Sequence, residues 1–153
     1  MTAAKRITVY CDGACSGNQS AHNVGGWGAI LTYNGTRKEI HGGERNTSNQ
    51  RMELTACIKA LEKITSTEIP VYVFSDSAYL VNCMTEQWYK TWQKNGWKNA
   101  KKQPVENRDL WTRILSLIDG RSIRFHKVAG HTGVHLNERA DELAQQGIGE
   151  VES

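Results

Sequence analysis

The run Ile7-Thr-Val-Tyr-Cys-Asp12-Gly-Ala-Cys-Ser-Gly17-Asn18 decides how the rest of the chain is read. Side chains that alternate along a β-strand put Ile7, Val9 and Cys11 on one face and Thr8, Tyr10 and Asp12 on the other. Asp12 is then the last strand residue and Gly13 turns the chain away. Sites in open α/β sheets gather at the carboxyl ends of strands, which is where this carboxylate stands. Taken singly, Asp12 reads as an aspartate opening an Asx-turn.

Working outward, Gly17 to Gly28 is a glycine-rich loop leading into a second strand, Trp27–Tyr33. Asn34-Gly35 is a strong hairpin signal, so Thr36–Gly42 returns as an antiparallel third strand. Leu54, Ile58 and Leu61 recur at helical spacing behind the capping residues of Asn46–Gln50, which predicts a helix from about Asn49 to Ile64. Glu53 falls in its first turn, on the margin of the apolar stripe, where a carboxylate also suits the helix dipole. Pro70–Ser75 reads as a strand ending on Asp76, followed by a helix over Ala78–Met84. A right-handed crossover places that strand parallel to the first. Asp76 by itself equally well caps the next helix. Leu110–Ile118 is a helix with Leu110, Ile114, Leu117 and Ile118 as its buried stripe, and Ser122–Val128 alternates as a fifth strand. A final helix runs from about Leu136 to Gln146, with Asp141 near its apolar face, and 147–153 is a short tail.

The chain has 153 residues, enough for one domain spanning 1–153. No apolar run approaches the roughly 20 residues that cross a membrane, and the N-terminus lacks the apolar core of a signal peptide, so no membrane partner is expected and the default location is cytoplasmic. Cys11, Cys15, Cys57 and Cys83 form no C-x-x-C pair; they read as free thiols rather than a zinc site. The net charge is only +3, but from Gln87 to Gln103 there are five lysines (Lys90, Lys94, Lys98, Lys101, Lys102) and no acid. That basic segment, about 86–103, interleaves them with Trp88, Tyr89, Trp92 and Trp97, a pattern that suits phosphates and bases better than a solvated face of mixed sign.

Asp12, Glu53, Asp76 and Asp141 each have a dull explanation singly, but the predicted elements carry all four to one end of a sheet. Gathered there, like charges disfavour one another, and divalent cations remove the conflict. Oxygen-only donors suit Mg²⁺ or Mn²⁺, and two such ions roughly 4 Å apart activate water and stabilise a leaving oxygen in phosphoryl transfer. A metal site with a lysine-rich aromatic surface points to a polynucleotide phosphodiester.

The ordered set Tyr10-Cys-Asp-Gly-Ala-Cys-Ser-Gly-Asn18, Asn49-Gln-Arg-Met-Glu-Leu54, Ser75-Asp-Ser77, the basic stretch Trp88–Trp97, Gly130-His-Thr-Gly133 and Asn137-Glu-Arg-Ala-Asp-Glu-Leu-Ala144 resembles bacterial type 1 ribonuclease H, collinearly from about Ile7 to Gln146. The resemblance implies an α/β fold with a mixed five-stranded sheet, an antiparallel meander plus two parallel strands, flanked by helices. It implies an endonuclease that hydrolyses the RNA strand of an RNA/DNA hybrid by a two-metal mechanism with Mg²⁺, for which Mn²⁺ substitutes, leaving 5′-phosphate and 3′-hydroxyl ends; a monomer is the default expectation. A hybrid-binding module without catalysis is the alternative. On this resemblance Asp12, Glu53, Asp76 and Asp141 are the metal-binding catalytic carboxylates, and His131 is a loop histidine assisting proton transfer or product release. Asn18, Asn49 and Gln50 contact the hybrid's minor groove, and Ser48 and Asn107 form a pocket for a DNA-strand phosphate. Trp88, Trp92, Lys94, Trp97, Lys98, Lys101 and Lys102 belong to a substrate-binding protrusion. Asn46 stands where some relatives carry a phosphate-binding arginine, which leaves Arg45 as the adjacent cation.

Overall fold

The structure of the protein, a computed structural model, describes residues 5–17, 23–129 and 135–152. Strands β1 (Ile7–Ser16), β2 (Val24–Tyr33) and β3 (Thr36–Arg45) form an antiparallel meander, and β4 (Val71–Ser75) and β5 (Ile123–Lys127) add to it in parallel, in the order β3-β2-β1-β4-β5. Among the described residues, five helices flank this sheet: α1 (Asn49–Glu62), α2 (Ala78–Thr85), α3 (Trp88–Asn95), α4 (Arg108–Ile118) and α5 (His135–Glu152). The mixed sheet expected from the sequence is the one observed.

Alternation decides which residues face the main core. Val9, Cys11, Val71 and Val73 meet Leu54, Leu61, Leu80, Trp111 and Ile114 in one large apolar cluster. A smaller cluster of Ile30, Ala140 and Leu143, with Tyr10 and Leu136 against it, seats α5. Asn34 and Gly35 both take positive φ, 50° and 83°, as a primed two-residue hairpin turn requires. The four cysteines are free, with Cys11, Cys57 and Cys83 buried.

Several boundaries differ from the sequence reading. β1 does not end at Asp12: it continues antiparallel to β2 as far as Ser16, while its parallel pairing with β4 stops at Tyr10 opposite Phe74. The Asx-turn reading also falls, because Asp12 Oδ1 accepts from the N–H of the very next residue, Gly13, at 2.9 Å and the strand runs on. β2 starts at Val24 rather than Trp27, and β3 extends to Arg45 rather than Gly42. α1 is capped by Ser48, whose Oγ accepts from Arg51 N at 3.1 Å, and no acid lies in its first turn. Glu53 is the fifth residue of α1, just past the first turn in which the sequence reading put it and outside the reach of a first-turn dipole effect. Asp76 is not a cap either, since Ser77 caps α2 by accepting from Leu80 N at 3.1 Å.

The tail expected over 147–153 is helical through Glu152, with Gly147 and Ile148 buried. Gly147 lies just past the helix end expected from the sequence, yet a Cβ there would stand 2.0 Å from the carbonyl oxygen of Gly42 on β3. Glycine is what permits the last turns of α5 to lie against the sheet. Arg139 holds the other side of that contact with a two-pronged bond to Glu39, both N···O distances 2.9 Å. Together with Arg37 it keeps the Glu39 carboxyl down at about 2. α4 starts at Arg108, and its buried residues are Trp111 and Ile114, so the expected stripe omitted its largest member.

Candidate active site

Asp12 acquires its neighbours through two close backbone approaches. A Cβ on Gly13 would stand 2.4 Å from Glu53 N, so α1 crosses β1 with almost nothing between the backbones and sets Glu53 beside Asp12. On β2, Gly28 pairs with Asp12, and a Cβ there would lie 2.5 Å from Leu143 Cβ and 2.7 Å from Ala140 O. α5 therefore meets the sheet next to Asp12 and brings Asp141, one residue beyond Ala140. From the other flank, Tyr10 and Phe74 stack with ring centroids 4.9 Å apart, and two residues on along each strand direction come Asp12 and Asp76.

The result is a pocket of about 210 Å³ lined by Asp12, Gly13, Asn49, Glu53, Asp76, Asn137, Glu138 and Asp141. All four carboxylates singled out in the sequence line it, together with Asn49. Asp12 is 8% exposed. Burial pushes its carboxyl up to about 8, helped by repulsion from Asp76, Asp141 and Glu53, against the Gly13 N–H that favours the charged form. Burial likewise raises Glu53 to about 7, with Asp76 adding to the effect and a hydrogen bond from the Ser77 hydroxyl opposing it. Ser77 thus both caps α2 and favours the charged form of Glu53, a double role that the sequence did not disclose. Asn137 is 3% exposed, and its Oδ1, buried at this pocket, has no hydrogen-bond partner among the described residues. A buried acceptor without a donor is costly.

Oxygen donors only, excess negative charge and an orphaned amide oxygen form a donor set that fits a hard divalent cation such as Mg²⁺ or Mn²⁺. Among the described residues no three His, Cys, Asp or Glu side chains are already drawn into metal-holding geometry. The carboxylates line the pocket as an open set.

The charge imbalance has a measurable consequence. Raised carboxylate pKa values mean that the folded state holds protons the unfolded chain has released. The stabilisation is complete below about pH 4 and is lost as pH rises through the values near 7 and 8. Urea unfolding in EDTA is expected to show stability falling over that interval. Asp12→Asn removes the most buried charge and is expected to gain about 1–3 kcal/mol at pH 8. Adding Mg²⁺ should flatten the wild-type profile, and a wild-type stability that rises from pH 5 to 8 in EDTA would count against the electrostatic assignment.

The remaining sequence candidates are distributed as follows. Ser48 and Asn107 are linked through Arg51, whose main-chain N–H bonds Ser48 Oγ and whose Nη1 donates to Asn107 Oδ1 at 3.2 Å. Arg51 in turn grips Asp109 with both Nη atoms, at 3.1 and 2.8 Å. Arg45, the sequence's substitute cation, is turned to the Val151 carbonyl of α5 at 2.9 Å, so the cation near Ser48 is Arg51. Asn49 and Gln50 are exposed at the start of α1. Lys94, Lys98, Lys101 and Lys102 are exposed, whereas Trp88 and Trp92 are half-buried and meet edge-on at 6.5 Å. Trp97 is a core residue, 9% exposed, with Arg108 over its ring. Trp97 is thus packed more deeply than the other two tryptophans, a difference that sequence spacing does not reveal. Asn18 and His131 lie outside the described residues. Among those described, no helix is long and apolar enough to cross a membrane.

A family model described as RNase H matches residues 4–149. A ribonuclease H from Chlorobaculum parvum is 53% identical over 95% of this chain and 97% of its own length, and one from Syntrophomonas wolfei is 49% identical over 94% and 97%. Among solved structures, LC9-RNase H1, described as a type 1 RNase H with the type 2 active-site motif, superposes with a TM-score of 0.84 at 30% identity, covering 98% of this chain and 75% of that one. LC11-RNase H1, solved with an RNA/DNA hybrid, shares the fold at a TM-score of 0.72 and 23% identity, covering 97% of this chain and all of its own. Half-identity over nearly the full length of both partners carries more than a shared fold: the chain belongs to the ribonuclease H family and is one of its enzymes.

Proposed function

We propose that this enzyme is an endonuclease that hydrolyses the RNA strand of RNA/DNA hybrids and leaves 5′-phosphate and 3′-hydroxyl ends, working as a single-domain monomer in the cytoplasm. The observation that carries the reading is the pocket that Asp12, Glu53, Asp76 and Asp141 line together. Two Mg²⁺ ions bound there, or Mn²⁺ in their place, would supply activation of the attacking water and neutralisation of charge on the departing 3′ oxygen. The chain's own part is to hold four oxygen donors around the scissile phosphate, with Ser77 favouring ionised Glu53 and the close α1 and α5 crossings fixing the spacing. His131 is assigned a proton-transfer or product-release role. Asn18, Asn49 and Gln50 are assigned to the minor groove, where 2′-hydroxyls distinguish RNA from DNA. Ser48 and Asn107 are assigned to a DNA-strand phosphate. Trp88, Trp92 and the exposed lysines are assigned to the hybrid backbone.

An end-labelled RNA annealed to complementary DNA tests this directly, beside the same RNA single-stranded and in an all-RNA duplex. Internal cuts are expected only in the hybrid and only with divalent metal. Cleavage of the all-RNA duplex at a comparable rate, or cleavage that survives EDTA, would overturn the substrate or the metal assignment respectively.

A further inference from the structure

Asn107 occupies the N-cap of α4, where an asparagine ordinarily turns its side-chain oxygen to an N–H of the first turn. Here no side-chain capping bond is made, and the backbone sits at φ 61°, ψ 27°, in the left-handed region. A non-glycine residue enters that region at a cost, and such strain gathers at working sites. The side chain is withheld from the helix and held from two other directions. Arg51 Nη1 donates to Oδ1, and Tyr79 Oη accepts from Nδ2, each at 3.2 Å. Arginine has only donors, so Oδ1 must be the atom that faces it, which fixes the amide's orientation.

Tyr79 is itself fixed from behind. Trp111, with no exposed surface, donates its indole N–H to the same Oη at 3.0 Å, and the two rings meet edge-on at 5.3 Å. The phenol oxygen therefore receives two N–H groups from opposite partners. One Asn107 N–H is spent on Tyr79, and the other has no acceptor among the described residues. Ser48 Oγ already accepts Arg51 N–H, which leaves its own hydrogen to donate. Donors held without acceptors, beside a guanidinium, are suited to a phosphate oxygen.

We propose that Tyr79, backed by Trp111, is a positioning residue that holds the Asn107 amide so that its spare N–H points at a phosphate of the DNA strand. The inference rests on the assignment of Ser48 and Asn107 to that phosphate. Without the tyrosine oxygen the amide is tethered at Oδ1 alone and pivots.

Steady-state cleavage is measured for the wild type, Tyr79→Phe and Asn107→Ala on a hybrid in which one neutral methylphosphonate replaces each DNA phosphate in turn. For the wild type, one position is expected at which the neutral linkage raises KM about 3–10-fold with kcat unchanged, the size of one or two lost hydrogen bonds. Tyr79→Phe is expected to raise KM by a similar factor on the all-phosphate hybrid and to lose most of its sensitivity to the substitution at that position, as Asn107→Ala does, the Ser48 hydroxyl accounting for what remains. The comparison is a ratio within each variant, so a reduced folded fraction cancels. If Tyr79→Phe is penalised as strongly as the wild type at that position, Tyr79 does not position the amide although the phosphate pocket stands. If the wild type is penalised nowhere along the DNA strand, the pocket assignment fails and the role of Tyr79 with it.

Discussion

Asp76→Asn is expected to lower turnover on an RNA/DNA hybrid by about 10³-fold or more while leaving hybrid affinity within about twofold. Ser77 supplies the cap of α2 and Ser75 Oγ accepts from Ser77 N at 3.0 Å, so the turn after β4 is built without the Asp76 carboxylate. Asparagine keeps the shape and removes only the charge. That charge is one of the causes that raise Asp12 and Glu53, so its loss eases their ionisation and leaves the pocket one anionic oxygen donor short. Gel-resolved cleavage gives kcat, and fluorescence anisotropy of a labelled hybrid in EDTA gives affinity. Turnover within tenfold of wild type would remove Asp76 from the chemistry. A wild-type protein that binds the hybrid without cutting it under any metal would favour the non-catalytic module.

The second large effect is expected from Lys94, Lys98, Lys101 and Lys102 replaced together by alanine, which should weaken hybrid binding about 10–10³-fold at low salt. The slope of log affinity against log salt should become shallower by about 0.9 for each phosphate contact removed. The substitutions leave the segment's architecture alone. Its backbone is tied by Asn95, whose amide bonds both Lys98 N and Lys98 O, and by Asn99, whose Oδ1 accepts from Lys101 N and Gln103 N. Among the described residues none of the four lysines is in an ion pair. Binding titrations at several salt concentrations decide the matter, and an unchanged affinity and slope would move the phosphate contacts elsewhere.

Much of the fold was legible because its signals are local. The alternation of β1, the Asn34-Gly35 turn and the periodicity of α1 each depend on a few neighbouring residues. The four carboxylates were legible as a group because strand ends and helix faces can be extrapolated from the same patterns. What escaped has long-range causes. Gly28 inside a predicted strand and Gly147 at a predicted helix end look like weaknesses, and only the opposing backbones reveal them as contact points. Trp97 and Trp111 could not be sorted from Trp88 and Trp92 by spacing, because burial depends on α1, α2 and α4 meeting. The Arg51, Tyr79, Asn107 and Trp111 network joins three helices and a loop, and no sequence period connects those positions.

The crossings at Gly13 and Gly28 also separate two kinds of sequence change. Where helix and strand touch through backbone, the reach from Asp12 to Glu53 and to Asp141 does not depend on how the surrounding interior is filled. Core side chains can drift in size and be repacked by their neighbours at a modest penalty while the reacting groups keep their separation. At the two glycines even a methyl group must push a whole helix outward, and the carboxylate it carries moves too. The spacing of this site is thus inherited through two absent side chains, and the interior is left free to diverge around them.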